Sequence, residues 1–376
     1  MILRLQTETI MKKSKAEPLF HIVKRDVLPW YKSWGIRLAA IAAALIVCAI
    51  VTTITTGLNP IKVYISFIQG AFGSGRKVWI TFQNMSVLLI ISLALTPAFK
   101  MRFWNIGGEG QVLVGALATA ACMIVLGDKI PNVLLILIMT VSALAAGAIW
   151  GLIPAIFKAK WNTNETLSTL MMNYIATQLV AFFTIVWEVP KGSFTVGIIN
   201  QNTNAGWLPQ LFGSKYLLPI VVAAIVTAAM YVYLKYSKHG YEIAVVGESE
   251  KTAKYVGMKT GKIIIRTMIL SGALCGLAGL ILVGGINHTI TTTINSGQGF
   301  TAVMVSWLAK FNPITMIFTS FLIIFLERGA GEISTNFGLN QSFADILTGI
   351  ILFFIIGCEF FISYRIVGRK KSGNAK

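Results

Sequence analysis

Charge is scarce in this 376-residue chain, and acid is scarcer still. Charged residues make up 12% of it, with 14 Asp and Glu against 32 Lys and Arg. A soluble domain carries roughly twice that share, so a water-exposed globular fold is excluded. Cysteine is limited to Cys48, Cys122, Cys275 and Cys358, all inside apolar runs and none in a Cys-x-x-Cys pair. That leaves no disulfide framework or thiolate metal cluster to expect, and each thiol reads as a small hydrophobe. The three histidines, His21, His239 and His288, are too far apart in sequence to suggest a metal site. A nucleotide-binding loop is missing as well. Gly257-Met-Lys-Thr-Gly-Lys262 has one residue too few between its glycines, and Ile263 stands where a magnesium-holding Ser or Thr belongs. Any ATP must be hydrolysed by another subunit.

What the chain has in abundance is apolar length. It is 55% hydrophobic, with a mean hydropathy of +0.73, and runs long enough to span a bilayer recur from Ile36 to Ile362. The expected fold is an all-α polytopic membrane protein. Ten spans are read: Ile36–Thr56, Thr81–Phe99, Gly108–Leu126, Asn132–Phe157, Thr166–Trp187, Tyr216–Leu234, Ile263–Gly285, Phe300–Phe311, Pro313–Glu327 and Ser342–Ile362. Spans eight and nine are short and tightly joined at Asn312-Pro313, so a re-entrant pair is an alternative there. Pro60–Phe72 is amphipathic, as a segment lying in the interface would be. The expected organisation is a basic cytoplasmic segment (1–35), a membrane domain (36–365) and a basic cytoplasmic tail (366–376). No cleavable signal peptide is expected, and Met11-Lys-Lys reads as a more natural start than Met1.

The net charge of +18 invites a nucleic-acid partner, but its distribution argues against one. With both ends in the cytoplasm, 25 of the 32 Lys and Arg fall on the inner side. That is the asymmetry that sets membrane topology.

Two polar, glycine-rich turns interrupt the apolar runs. Asn105-Ile-Gly-Gly-Glu-Gly-Gln111 opens span three, and Asn295-Ser-Gly-Gln-Gly-Phe300 opens span eight. In the ten-span topology these helices run in opposite directions. Asn164-Glu-Thr and Asn340-Gln-Ser likewise open spans five and ten, each with an Asn at the N-cap. Spans two to five and seven to ten therefore read as an inverted repeat, the build of many transporters. Within span seven, Ser271-Gly-Ala-Leu-Cys-Gly-Leu-Ala-Gly279 spaces small residues for close helix packing, as Gly147 and Gly151 do in span four.

Polar side chains inside spans are costly in lipid and are functional candidates. They are Gln83, Asn84, Glu109, Gln111, Asn173, Gln178 and Asp345. None forms a catalytic pair by spacing, and such amides suit an uncharged, hydroxylated solute. The competing reading is hydrogen bonding between helices. A proton relay through Asp345 and Glu359 is disfavoured, because 14 residues along one helix is roughly 21 Å. In the loop after span six, Glu248–Val256 is expected to be a short helix ending at Gly257. It would present Glu248, Lys251 and Tyr255 to a cytoplasmic partner.

Taken in order, the Asn105–Gln111 turn, Asn164–Tyr174, the Gly247–Gly257 loop, Ser271–Gly279 and Gly297–Ala302 resemble the permease subunits of bacterial ABC importers for simple sugars and nucleosides. The resemblance covers about residues 36–365, and its first motif is closer to the nucleoside branch. Trp104 departs from that branch's common Phe or Leu. The resemblance implies a solute pathway through Asn84, Asn105, Glu109, Gln111 and Asn173. It implies coupling to an ATPase through Glu248, Lys251, Ala253 and Gly257. It also implies a second, homologous permease, an extracellular substrate-binding lipoprotein, and ATP with magnesium held by the partner ATPase. The location implied is the bacterial cell membrane. An ion-coupled secondary transporter and a non-transporting scaffold are the other classes. The first lacks a convincing titratable pair at mid-membrane, and the second would not carry so many intramembrane amides.

Overall fold

The computed structural model of the chain describes residues 20–25 and 29–368. The N-terminal residues through 19, with the alternative start at Met11, and the tail from 369 lie outside the described residues. Helices carry the fold, as they must where no water satisfies backbone N–H and C=O groups. In chain order they are α1 (Trp30–Thr56), α2 (Pro60–Phe72), α3 (Gly75–Lys100), α4 (Gly108–Leu126), α5 (Asn132–Trp161), α6 (Glu165–Val186) and α7 (Leu217–Tyr236). Then come α8 (Lys238–Glu248), α9 (Glu250–Tyr255), α10 (Thr260–Leu280) with a π-helical extension (Ile281–Asn287), α11 (Gln298–Leu308), α12 (Pro313–Phe337) and α13 (Gln341–Ser363). Their starts follow local chemistry. The Ser74 hydroxyl accepts from Lys77 N at the head of α3. The Asn164 and Asn340 amide oxygens accept from Leu167 N and Ser342 N at the heads of α6 and α13.

Nine helical segments among the described residues are long and apolar enough to cross a membrane. The exception is the expected eighth span. The stretch read as Phe300–Phe311 forms only the 11-residue α11, roughly 16 Å long at the helical rise. That is about half of a hydrocarbon core some 30 Å thick. Left-handed backbone bounds it on both sides, with φ 73° at Gly297 and 51° and 59° at Lys310 and Phe311, which a right-handed helix cannot pass through.

The chain falls into two compact units. One joins the described residues up to 67 to those from 330 onward. Here α1 packs along α13, with the Cys48 thiol 3.8 Å from the Leu347 carbonyl oxygen. Asn336 Nδ2 donates to the Ser66 hydroxyl at 3.0 Å. Two short strands that the sequence reading did not anticipate, β1 (Phe20–Lys24) and β2 (Tyr364–Gly368), pair antiparallel in this unit.

The other unit, residues 68–329, holds the polar turns. Its centre is α10, pressed between α4 and α5. A methyl group added at Gly115 would come 2.5 Å from Gly276 Cα, and one at Gly279 would come 2.5 Å from Val112 O. One at Gly272 would strike the Gly147 carbonyl oxygen. The small-residue spacing thus lets backbones touch, which is how helices associate where lipid is as apolar as leucine.

Gly272→Ala is accordingly expected to destabilise the chain by about 3 kcal/mol, the upper end of ordinary overpacking. Gly261→Ala on the same helix, where a methyl group meets nothing nearer than 3.5 Å, should stay within about 0.5 kcal/mol. Thermal unfolding of both variants in detergent, followed by size exclusion, measures the difference.

Candidate functional site

The Asn105–Gln111 turn is the centre of a buried polar network. After α3 the chain reverses through Arg102, whose φ is 60°, and Phe103 anchors the turn in the core. Asn105 is fully buried. Its Oδ1 accepts from Gly107 N at 3.1 Å and from Gln111 Nε2 at 3.3 Å, and its Nδ2 donates to Ser271 Oγ on α10 at 3.1 Å. Asn173 reaches in from α6. Its Oδ1 accepts from Gly110 N and its Nδ2 donates to Ile106 O, both at 2.9 Å. Thr169, one turn earlier, accepts from Ile106 N at 3.3 Å. The first N–H groups of a helix have no partner within it, and here neighbouring side chains supply some of those partners.

Glu109 completes the network from the other side. One carboxylate oxygen accepts from Asn295 Nδ2 at 2.7 Å and from Gly299 N at 2.8 Å. The two glycine-rich turns, 190 residues apart at Glu109 and Gly299, therefore meet through one side chain. Gly297, at the N-cap of α11, has no side chain with which to cap that helix. Glu109 does it from α4, placing negative charge at the positive end of the helix. Gly299 is also the position where the two backbones meet, since an added methyl group there would overlap Glu109.

Of the residues expected along a pathway, the structure brings together Asn105, Glu109, Gln111 and Asn173. All four are buried, Glu109 the least at 8% exposed. Asn84 stays apart. It is half-buried on α3, and Leu95, which packs on Gly108, is 11 residues further along, roughly 16 Å. Gln178 and Asp345 are exposed, and Gln83 is buried on α3. Sequence reading did not assign Ser271, Thr169, Asn295 or Gly299 as partners. The available signal was an uncapped, glycine-led helix start in one motif and a lone acid in the other.

The segment after α7 differs from the single helix expected over Glu248–Val256. It is a pair, α8 and α9, broken at Ser249. Ser249 is extended, with φ −157°, and its hydroxyl accepts from Thr252 N at 3.2 Å. Glu248 therefore ends α8 instead of starting the second helix, and Lys238–Gly247 is helical where a loop was expected. Gly257 follows α9 with φ 81°, the left-handed cap that ends many helices. Glu248, Lys251 and Gly257 are exposed, and Tyr255 is 92% exposed. Ala253 faces the other way. It is fully buried with Ile243 and Val246 against Ala98, Met101, Phe103 and Met268. Arg266 donates to Glu242 at 2.7 Å, and that bond holds the Glu242 carboxyl below its ordinary range. A cavity of about 280 Å³ beside the pair is lined by Arg102, Lys158, Glu165, Glu248, Ser249 and Glu250.

At the opposite end of the unit, Trp207 stacks on His288 with ring centres 3.8 Å apart. Burial, and then the charge of Lys215, push the His288 imidazole below its ordinary range.

Buried amides at helix starts, glycine-mediated backbone contact and an exposed helix pair at one end describe a polytopic permease. The chain belongs to the family described as branched-chain amino acid transport system / permease component, whose model matches residues 79–356. It is similar to the glucose ABC transporter permease protein TsgB13 of Haloferax volcanii, at 25% identity over 91% of this chain and 92% of that protein. It is similar to the nucleoside ABC transporter permease protein NupB of Lactococcus lactis, at 28% over 80% and 84%. It also resembles the guanosine ABC transporter permease protein NupP of Bacillus subtilis, at 29% over 80% and 87%. No solved structure matches it. The chain is thus an ABC permease, a transport subunit and not an enzyme, and ATP hydrolysis belongs to a separate subunit.

Removing the Glu109 carboxylate leaves two buried donors unpaired. Glu109→Ala is expected to cost about 2–3 kcal/mol, and Glu109→Gln, which keeps an acceptor, about 1 kcal/mol. A double-mutant cycle with Asn295→Ala should return a coupling of about 1–3 kcal/mol. Additive effects in detergent unfolding would show that the two side chains do not support each other.

Proposed function

We infer that this chain forms half of the membrane pathway of an ATP-driven importer and that its solute is a nucleoside. Its permease class follows from family membership. The single observation that carries the solute choice is that two of the three relatives named above bear nucleoside or guanosine in their names. The Asn105–Gln111 turn, closer to the nucleoside branch, agrees. A sugar is the second reading, favoured by the glucose permease that aligns over more of the chain.

On this reading both ends of the chain are cytoplasmic, in the plasma membrane. The exposed edge of α8 and α9, with Glu248, Lys251 and Gly257, docks on an ABC ATPase that holds ATP and magnesium. Ala253 contributes by seating that edge on Met101 and Phe103. A second, homologous permease completes the pathway, and a substrate-binding lipoprotein delivers solute from outside. The contact between the starts of α4 and α11 supports reading the two halves as an inverted repeat.

Deleting the gene should abolish high-affinity uptake of labelled guanosine or uridine and leave ribose and glucose uptake unchanged. Loss of a sugar with normal nucleoside uptake would establish the second reading. Gly257→Pro cannot adopt the φ of 81° found there. It should leave the chain in the membrane while uptake falls at least tenfold and ATP hydrolysis ceases to respond to loaded binding protein. Normal coupling in Gly257→Pro and in Glu248→Arg would place the docking surface elsewhere.

A further inference from the structure

The chain between the π-helical segment and α11 crosses much of the membrane without being a helix. Its two ends can be placed against α4. At one end His288 O accepts from Ile199 N at 2.7 Å, and the next residue, Asn200, donates through Nδ2 to Met123 O at 2.8 Å. At the other end Gly299 N donates to Glu109. Met123 and Glu109 lie 14 residues apart on α4, roughly 21 Å along its axis. Residues 289–298 therefore descend about two-thirds of a hydrocarbon core some 30 Å thick. Only turns hold this stretch internally, with Ile294 N, Ser296 N and Gln298 N donating to Thr291 O, Thr293 O and Asn295 O.

Irregular backbone at membrane depth persists only where protein buries it or where it lines a water-filled cavity. Composition separates these cases. The stretch reads Thr289-Ile-Thr-Thr-Thr-Ile-Asn-Ser-Gly-Gln298, and only Ile290 and Ile294 carry apolar side chains. Those two are buried with Asn295, while Thr293 and Ser296 are exposed. The greasy side faces protein and a hydroxyl-rich side faces outward.

Two acceptors in the same stretch have nothing to accept from. Asn295 is 1% exposed. Its Nδ2 is spent on Glu109, which as a carboxylate fixes the amide's orientation, and its Oδ1 has no partner. Gln298 Oε1, also buried, has none either. A buried carbonyl without a donor loses its hydration with nothing in return, a cost that a hydrogen-bond donor arriving in the pathway would remove.

We propose that residues 289–298 form a wall of the solute pathway, and that Asn295 Oδ1 and Gln298 Oε1 accept hydrogen bonds from the hydroxyl or N–H groups of an uncharged solute. The proposal rests on the permease reading. Its first test is independent of the solute's identity. In the assembled transporter, with the four native cysteines replaced, Thr293→Cys should react with a small charged thiol reagent at least ten times faster than Val141→Cys on α5, an exposed apolar site. Loaded binding protein with guanosine should slow that reaction. Equal rates at the two sites would overturn the wall. Gln298→Met keeps the side chain's length and removes its carbonyl. It should lower maximal guanosine uptake at least fivefold with membrane level and ATPase assembly unchanged, and Gln298→Asn should restore part of it. Unchanged uptake in Gln298→Met would overturn the role of the carbonyls. If wild-type transporter takes up no nucleoside, the solute reading fails, and the same variant measured with glucose tests the wall.

Discussion

A helix that begins inside a membrane exposes backbone N–H groups that no water can reach. Among the described residues, the helix starts at Gly108 and Gln298 are buried together, and the Glu109 carboxylate joins them. The bond to Gly299 N is short and charge-assisted, the stronger class of hydrogen bond. Carboxylates are costly in apolar surroundings, so Glu109 is tolerable only because donors from the second turn surround it. The dependence is mutual, since α11 has no cap of its own. The rest of the network is arranged around this pair. Asn173 closes the α4 start from α6, and Asn105 ties the turn to α10 through Ser271. Close approach of α10 requires the glycines at 115, 147, 272 and 276.

The same turn joins the buried network to the α8–α9 helix pair. Met101 and Phe103 are packed with Ile243, Val246 and Ala253, and Asn105 follows two residues after Phe103. Gly247 lies directly against the Lys100 carbonyl, with no room for a side chain between them. A displacement of α8 and α9 would press on the Met101–Gly107 turn, because well-packed interiors transmit strain, and that turn leads into the start of α4 that Glu109 shares with α11. Under the proposed docking of an ATPase, this is a physical route from the surface of the helix pair to the non-helical chain of residues 289–297.

Much of this was legible in the sequence. Apolar length located the spans, and α4 has the bounds expected of span three, Gly108–Leu126. Asn164 and Asn340 cap their helices as their position before apolar runs suggests. The packing role of Ser271–Gly279 followed from its spacing. One feature was legible in part and two were not, each for a physical reason. Span eight already read as short, with a re-entrant pair as the alternative, but where α11 stops depends on left-handed backbone at Lys310 and Phe311, residue types that give no warning of it. The break at Ser249 arises because a serine inside a helix-forming run can instead cap the next helix. The pairing of β1 with β2 joins chain ends that sequence cannot bring together.

The site itself was legible in its residue types and not in their roles. Asn105, Glu109, Gln111 and Asn173 stood out because amides and acids are costly in lipid, and that cost says only that each needs a partner. In the structure most of those partners are backbone groups at helix starts. Asn173 spends both ends of its amide this way, and Asn105 spends one end on Gly107 N and the other on the Ser271 hydroxyl. Asn295 and Gln298 each retain an unpaired carbonyl, beside the hydroxyls of Thr293 and Ser296. The same side-chain chemistry thus serves two ends: Asn105 and Asn173 hold the break in the helices with both ends of their amides paired, whereas Asn295 and Gln298, like Gln111 at its Oε1, keep a carbonyl free, and under the proposal those of Asn295 and Gln298 meet what passes. Only the tally of partners, atom by atom, separates the two.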